Sequence, residues 1–248
     1  MMTNRTWFLM LTCISMVFAG MHAQAAEQNT KVLIVTGFDV GAHKWRETTQ
    51  QTASILEESG RFTVKISEDL EVFASPSLND HDVVLLNYGF WNQPDPSDKA
   101  KAGLLDYVKG GKGLVSLHFS CSSFQEWDEY AELLGRTWKK GVGGHGPRGK
   151  FTVKITDSKH PITLDMEDFE ADDELYAKLS GDAKIETIAS AYSDWSGKEE
   201  SIVYVKPYGK GRVVHNVLGH DSVARENKNF QRLVIRGVEW AASGKIAE

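Results

Sequence analysis

Gly111-Lys112-Gly113-Leu114-Val115-Ser116-Leu117-His118-Phe119-Ser120 is the stretch on which the fold turns. A short apolar run follows a glycine-rich break and stops at a histidine, with Ser116 and Ser120 two residues to either side. An apolar run without alternation marks a strand buried on both faces. Small residues at those offsets let the chain turn sharply from strand into helix and lift the central side chain clear of the sheet. An α/β enzyme of the elbow type carries its nucleophile there. Here the place belongs to an imidazole.

Outward from this stretch, the same grammar repeats. Residues 31–36 and 81–87 are further apolar strands, and 62–66 alternates as another. Residues 44–59 carry Trp45, Thr48, Thr52, Ile55 and Leu56 at helical spacing, closed by Gly60. Residues 97–109 form an amphipathic helix with Ser97 as N-cap. Residues 126–134 continue as a helix to Gly135, and 150–156 alternate as a strand whose place in the sheet stays open. Residues 184–191 and 201–206 are strands; a turn over 207–211 folds 212–218 back as the second arm of a hairpin. Residues 227–242 make a terminal helix. Strand–helix alternation of this kind predicts an α/β fold: a flavodoxin-like parallel sheet flanked by helices, with an added β-hairpin region and ligands at the carboxyl ends of the strands.

The first residues are set apart from folding. Arg5 precedes an apolar run over 7–18, and Ala23-Gln24-Ala25 matches the small-x-small pattern of signal-peptide cleavage. Residues 1–25 are expected to be a signal peptide and 26–248 a single domain, periplasmic or secreted, with no membrane span after cleavage. Of the two cysteines only Cys121 remains in that domain, so no intramolecular disulfide is available. The net charge of −6 and the lack of a basic run exclude nucleic acid as a natural partner.

Several motifs occur together in order: the loop from Thr36 to His43, the strand ending at His118, His160-Pro161-Ile162-Thr163, Asp173-Glu174-Leu175-Tyr176, Gly209-Lys210-Gly211-Arg212-Val213, Gly219-His220-Asp221 and Arg236-Gly237-Val238-Glu239-Trp240. On these the sequence resembles the trehalose-utilisation (ThuA-like) family, whose fold is a variant of the class I glutamine amidotransferase-like sheet. The resemblance implies a role in disaccharide catabolism beside enzymes that make 3-keto sugars. It does not fix a reaction, because a fold hosts many chemistries.

His43, His118, His145 and His220 all fall at strand ends or in adjoining loops, which a parallel sheet gathers at one edge. Three imidazoles with an open position would hold a divalent metal such as zinc; ordinary hydrogen-bonded histidines are the competing reading. His81, His160 and His215 read as structural. Cys121 lies three residues past the elbow, so thiol chemistry of the amidotransferase type is not expected. Asp173 and Glu174 are adjacent and point to opposite sides of an extended segment. They therefore do not form a glycosidase pair, which needs both carboxyls facing one bond about 5–9.5 Å apart. The expected catalytic residues are His118, Asp173, Glu174 and His220, with His43, Trp91, Tyr176 and Asp221 binding substrate. The expected activity is acid–base, metal-assisted or not, on a disaccharide or keto-sugar, closer to isomerisation or elimination than to hydrolysis. The expected partner is a saccharide, with self-association left open. A non-catalytic carbohydrate-binding or partner-docking domain is the alternative.

Overall fold

The computed structural model describes residues 29–38, 41–89, 92 and 95–247. The expected signal peptide over 1–25 and Trp91 lie outside these residues. Five strands form the parallel half of a nine-stranded sheet: β1 (Thr30–Gly37), β2 (Phe62–Ser67), β3 (Val83–Tyr88), β4 (Gly113–Leu117) and β11 (Gly211–Asn216). Their spatial order is β2-β1-β3-β4-β11, the doubly wound flavodoxin order with β11 in the fifth place. β3 and β4 are buried at every residue, which requires cover on both faces.

That cover comes from α1 (Trp45–Glu58), α2 (Asp98–Lys109), α3 (Asp128–Leu134) and α5 (Lys228–Ser243); α1 and α5 also touch each other. Ser97 caps α2 by accepting from the Ala100 amide, as its position in the sequence suggests. Asn227 caps α5 in the same way, accepting from Asn229 and Phe230.

The remainder of the sheet is antiparallel. β10 (Lys198–Tyr208) returns to pair with β11, β9 (Glu186–Ser193) with β10, β6 (Gly149–Ile155) with β9, and β7 (Phe169–Asp173) with β6. The strand near residue 150 thus stays in the main sheet, held by two residue pairs to β9. A separate two-stranded ribbon joins β5 (Gly144–His145) to β8 (Tyr176–Ala177). This antiparallel extension carries Glu174 and His145 back to the carboxyl edge of the parallel strands.

Candidate metal and catalytic centre

β4 ends at Leu117, and a 3₁₀ turn over His118–Ser122 begins at the histidine. His118 adopts φ +43°, a left-handed conformation uncommon outside glycine and held here by its surroundings. Ser120 pins the turn to β3: its hydroxyl donates to the Leu86 carbonyl at 2.8 Å and accepts from the Tyr88 amide at 3.1 Å. The His118 side chain is fully buried, and its Nδ1 donates to the Val217 carbonyl at 2.6 Å. Because a carbonyl only accepts, the Nδ1 proton is fixed and the Nε2 lone pair faces inward.

Three other side chains meet that lone pair. His220, just past β11, places Nδ1 3.3 Å from His118 Nε2 and 2.9 Å from Glu174 Oε2. Glu174 Oε2 lies 3.7 Å from His118 Nε2. His43, in the loop between β1 and α1, stacks flat on Phe119, with centroids 4.3 Å apart and an interplanar angle of 9°. One nitrogen or oxygen from each of His43, His118, Glu174 and His220 falls within 4.8 Å of all the others. Such a donor set can coordinate a divalent metal: imidazole and carboxylate suit zinc and its neighbours.

The electrostatics agree with that fit. His43 is lowered to about 3 by burial and then by His118 and His220, so its ring is neutral and a free base at neutral pH. Its Nδ1 is buried and has no hydrogen-bond partner among the described residues. Burial works to raise the Glu174 carboxyl, yet the His118 and His220 imidazoles set against it, His220 through its Nδ1, hold it well below the usual carboxylate range. Burial would lower His220, but its hydrogen bond and charge interaction with Glu174 raise it. The anion at the centre therefore persists across the neutral range.

The remaining expected site residues take different places. His145 lies outside the four-residue group; its Nε2 is 3.7 Å from Glu174 Oε2 and its Nδ1 donates to the Gly146 carbonyl at 2.7 Å. The fourth member of the metal set is thus Glu174 in place of His145. Tyr176 is buried beside the cluster, with its hydroxyl 3.5 Å from His43 Nε2 and its ring 4.1 Å from that of His118. Asp173 faces backbone: its carboxylate accepts from the amides of Gly219 (2.6 Å), Glu174 (2.8 Å) and His220 (3.1 Å). Asp221 caps the short α4 (Ser222–Arg225) and pairs with Arg148 at 3.2 Å. Cys121 is fully buried, and burial pushes its thiol up to about 12, so no thiolate is available.

Reading the sequence alone missed Arg225. This guanidinium is fully buried and donates to the carbonyls of Gly219 (2.9 Å) and Thr48 (2.9 Å), to Thr52 Oγ1 (2.5 Å) and to Asn87 Oδ1 (2.8 Å). Burial lowers it to about 9 against the pull of Asp173 and Asp221. The Gly219 backbone is thereby gripped twice, by Asp173 at its amide and by Arg225 at its carbonyl. Gly219 has φ +101°, and a Cβ there would meet the Phe230 ring at 2.8 Å. The available signal was slight: Thr48 and Thr52 put polar groups on the buried stripe of α1, but their hydroxyls donate to carbonyls of their own helix.

Fold and site together define a flavodoxin-like α/β domain with a histidine–carboxylate centre at the carboxyl ends of its parallel strands. The family model described as "ThuA: Trehalose utilisation" matches residues 31–241, and the chain belongs to that family. Among solved structures it is similar to a ThuA-like protein from Parabacteroides merdae, at 28% identity and a TM-score of 0.79 over 89% of this chain and 92% of that one. A ThuA-like protein from Bacteroides uniformis shares the fold at 16% identity and a TM-score of 0.72, over 91% and 97% of the two chains. A glutamine amidotransferase from Thermotoga maritima shares it more distantly, at 12% identity and a TM-score of 0.51 over 86% and 97%. No curated protein matches the chain.

Proposed function

We propose that this is an exported carbohydrate-processing enzyme of the trehalose-utilisation type that acts on a disaccharide or keto-sugar by metal-assisted acid–base isomerisation or elimination. The observation that carries the reading is the convergence of three imidazoles and one carboxylate beside an elbow that holds no nucleophile. His43, His118, Glu174 and His220 would hold the ion, zinc by the character of the donors. When bound, it would supply Lewis-acid polarisation of a sugar carbonyl or hydroxyl and so acidify the neighbouring C–H. His118 contributes an oriented lone pair, because Val217 fixes its tautomer. Glu174 keeps its negative charge, and His43 stays unprotonated. His145 Nε2 stands next to the cluster, where it can pass a proton to or from a sugar oxygen, while the Tyr176 hydroxyl, kept protonated by burial, can donate a hydrogen bond there. Export rests on the leader pattern before residue 26.

Elemental analysis of protein purified without chelator is the first test. The expected result is one equivalent of divalent metal that is lost in His118→Asn, a residue that tolerates the left-handed backbone. Incubation with trehalose and its 3-keto derivative should then give product only from metal-loaded wild type. Failure to take up zinc, nickel or manganese after equilibration sinks the metal centre. Saturable sugar binding without product would make the protein a binding module.

A further inference from the structure

A second cleft lies on the far side of the segment that supplies Glu174 and Tyr176. Leu175, the residue between those two, lines a cavity of about 350 Å³ together with Phe151, Tyr192, Asp194 and Trp195. Alternation along an extended segment explains the arrangement: positions 174 and 176 face the histidines, and position 175 faces away. Tyr192 and Trp195 sit at the tip of the β9–β10 hairpin, where the Gly197 amide closes the turn on the Ser193 carbonyl at 2.8 Å. They are 53% and 43% exposed, although each is large enough to dominate a buried core. Trp195 is nevertheless held firmly. The Lys178 ammonium lies 4.3 Å over its ring, and a Cβ on Gly144 would come within 2.3 Å of it.

We propose that this cleft binds a pyranose ring, as a saccharide subsite separate from the histidine centre; this rests on the carbohydrate reading above. A pyranose has one face of C–H groups and a girdle of hydroxyls. The aromatic walls offer the first a flat apolar surface, and Asp194 and Ser193 offer the second hydrogen-bonding oxygens. The volume is near the lower end of the roughly 300–1,000 Å³ range of small-molecule sites, which suits one ring and not an oligosaccharide. An apolar peptide would leave the Asp194 carboxylate unsatisfied on burial. The cleft and the centre share two elements, since Gly144 packs on Trp195 and its neighbour His145 reaches Glu174. Occupancy of the cleft therefore bears on the ribbon that frames the centre.

The probes are methyl α-D-glucopyranoside and trehalose, titrated calorimetrically into wild type, the double variant Tyr192→Ala/Trp195→Ala, Tyr192→Ala alone, and His118→Asn. The expected result is an affinity for methyl glucoside at least tenfold weaker in the double variant and weaker in Tyr192→Ala; His118→Asn reports separately on any sugar bound at the histidine centre. Circular dichroism checks that the variants fold; Tyr192→Ala, at a more exposed position, keeps the question answerable if the double variant does not. Unchanged affinity in Tyr192→Ala and in the double variant overturns the cleft while leaving the histidine-centre reading intact. Loss of binding confined to His118→Asn does the same. No saturable sugar binding by wild type overturns the saccharide reading and the cleft together.

Discussion

Asp173 and Glu174 are neighbours in sequence, yet one serves the backbone and the other the site. Extended geometry sends them to opposite sides, so Glu174 reaches three imidazoles while Asp173, only 2% exposed, ties down three amides. Those amides belong to Gly219, His220 and Glu174 itself, so a single carboxylate sets the relative position of two metal donors. Asp173→Asn retains one acceptor oxygen and exchanges the other for a donor that faces an amide N–H. Supporting groups of this kind typically change metal affinity by about 10–100-fold when altered. We expect a loss in that range, measured by competition with a chromophoric chelator, with the four donors intact. Asp221→Asn should change it far less, because Asp221 caps α4 and pairs with Arg148 without touching the donor amides. Equal effects in the two variants would show that charge near the site, and not the grip on Gly219 and His220, is what matters.

At the scale of elements, close approach decides more than side-chain chemistry. Gly89, directly after β3, lies so near the elbow turn that a Cβ would stand 2.3 Å from the Phe119 carbonyl oxygen and from its ring. Phe119 is also the platform on which His43 stacks. Gly89→Ala must therefore displace the turn that carries His118 and the ring that seats His43. The expected result is a stability loss of about 1–3 kcal/mol by urea denaturation, as overpacking usually costs, together with weakened metal uptake. A variant that loses stability but binds metal normally would mean the turn shifts as a rigid unit. The sequence showed the strands and helices plainly because apolar runs and caps are local signals, and it placed His43, His118 and His220 at one edge because parallel strands end together. It could not supply the fourth donor. Glu174 arrives through β7 and the β5–β8 ribbon, whose register depends on pairings distant in sequence, so His145 looked equally eligible. Arg225 was hidden for a related reason: a lone arginine in a short polar segment looks solvated until α1 and β3 enclose it.

For the molecule as a whole, acid stability is set by groups that folding keeps neutral or charged against their ordinary tendency. His215 is the cleanest case: mid-strand in β11, it is fully buried against Tyr204, and neither ring nitrogen has a hydrogen-bond partner among the described residues. Burial, and then the proximity of His118, lower it to about 3 from the ordinary 6.5. The unfolded chain protonates this ring as pH falls through 6.5 while the folded chain does not, so its contribution is complete above 6.5 and drains away towards 3. Metal-free His43 follows the same sign. Glu174, held low in the folded state, likewise stabilises above its unfolded value and loses that contribution as pH falls. His220, raised, works the other way: its contribution is present below 6.5 and is lost as pH rises through its folded value. Three of these four groups oppose acid, so the metal-free protein should lose stability steadily below neutrality. Replacing His215 by leucine removes one of the three and leaves all four metal donors in place. Between pH 6.5 and 4.5 the His215 contribution amounts to about 2–3 kcal/mol at one kcal-scale step per unit. The urea midpoint of His215→Leu should accordingly fall less than that of wild type between pH 7 and pH 4.5. If the two proteins lose stability in parallel over that interval, the buried imidazole is already protonated in the fold, and Tyr204 and Ser116 around it must be arranged to accept its charge.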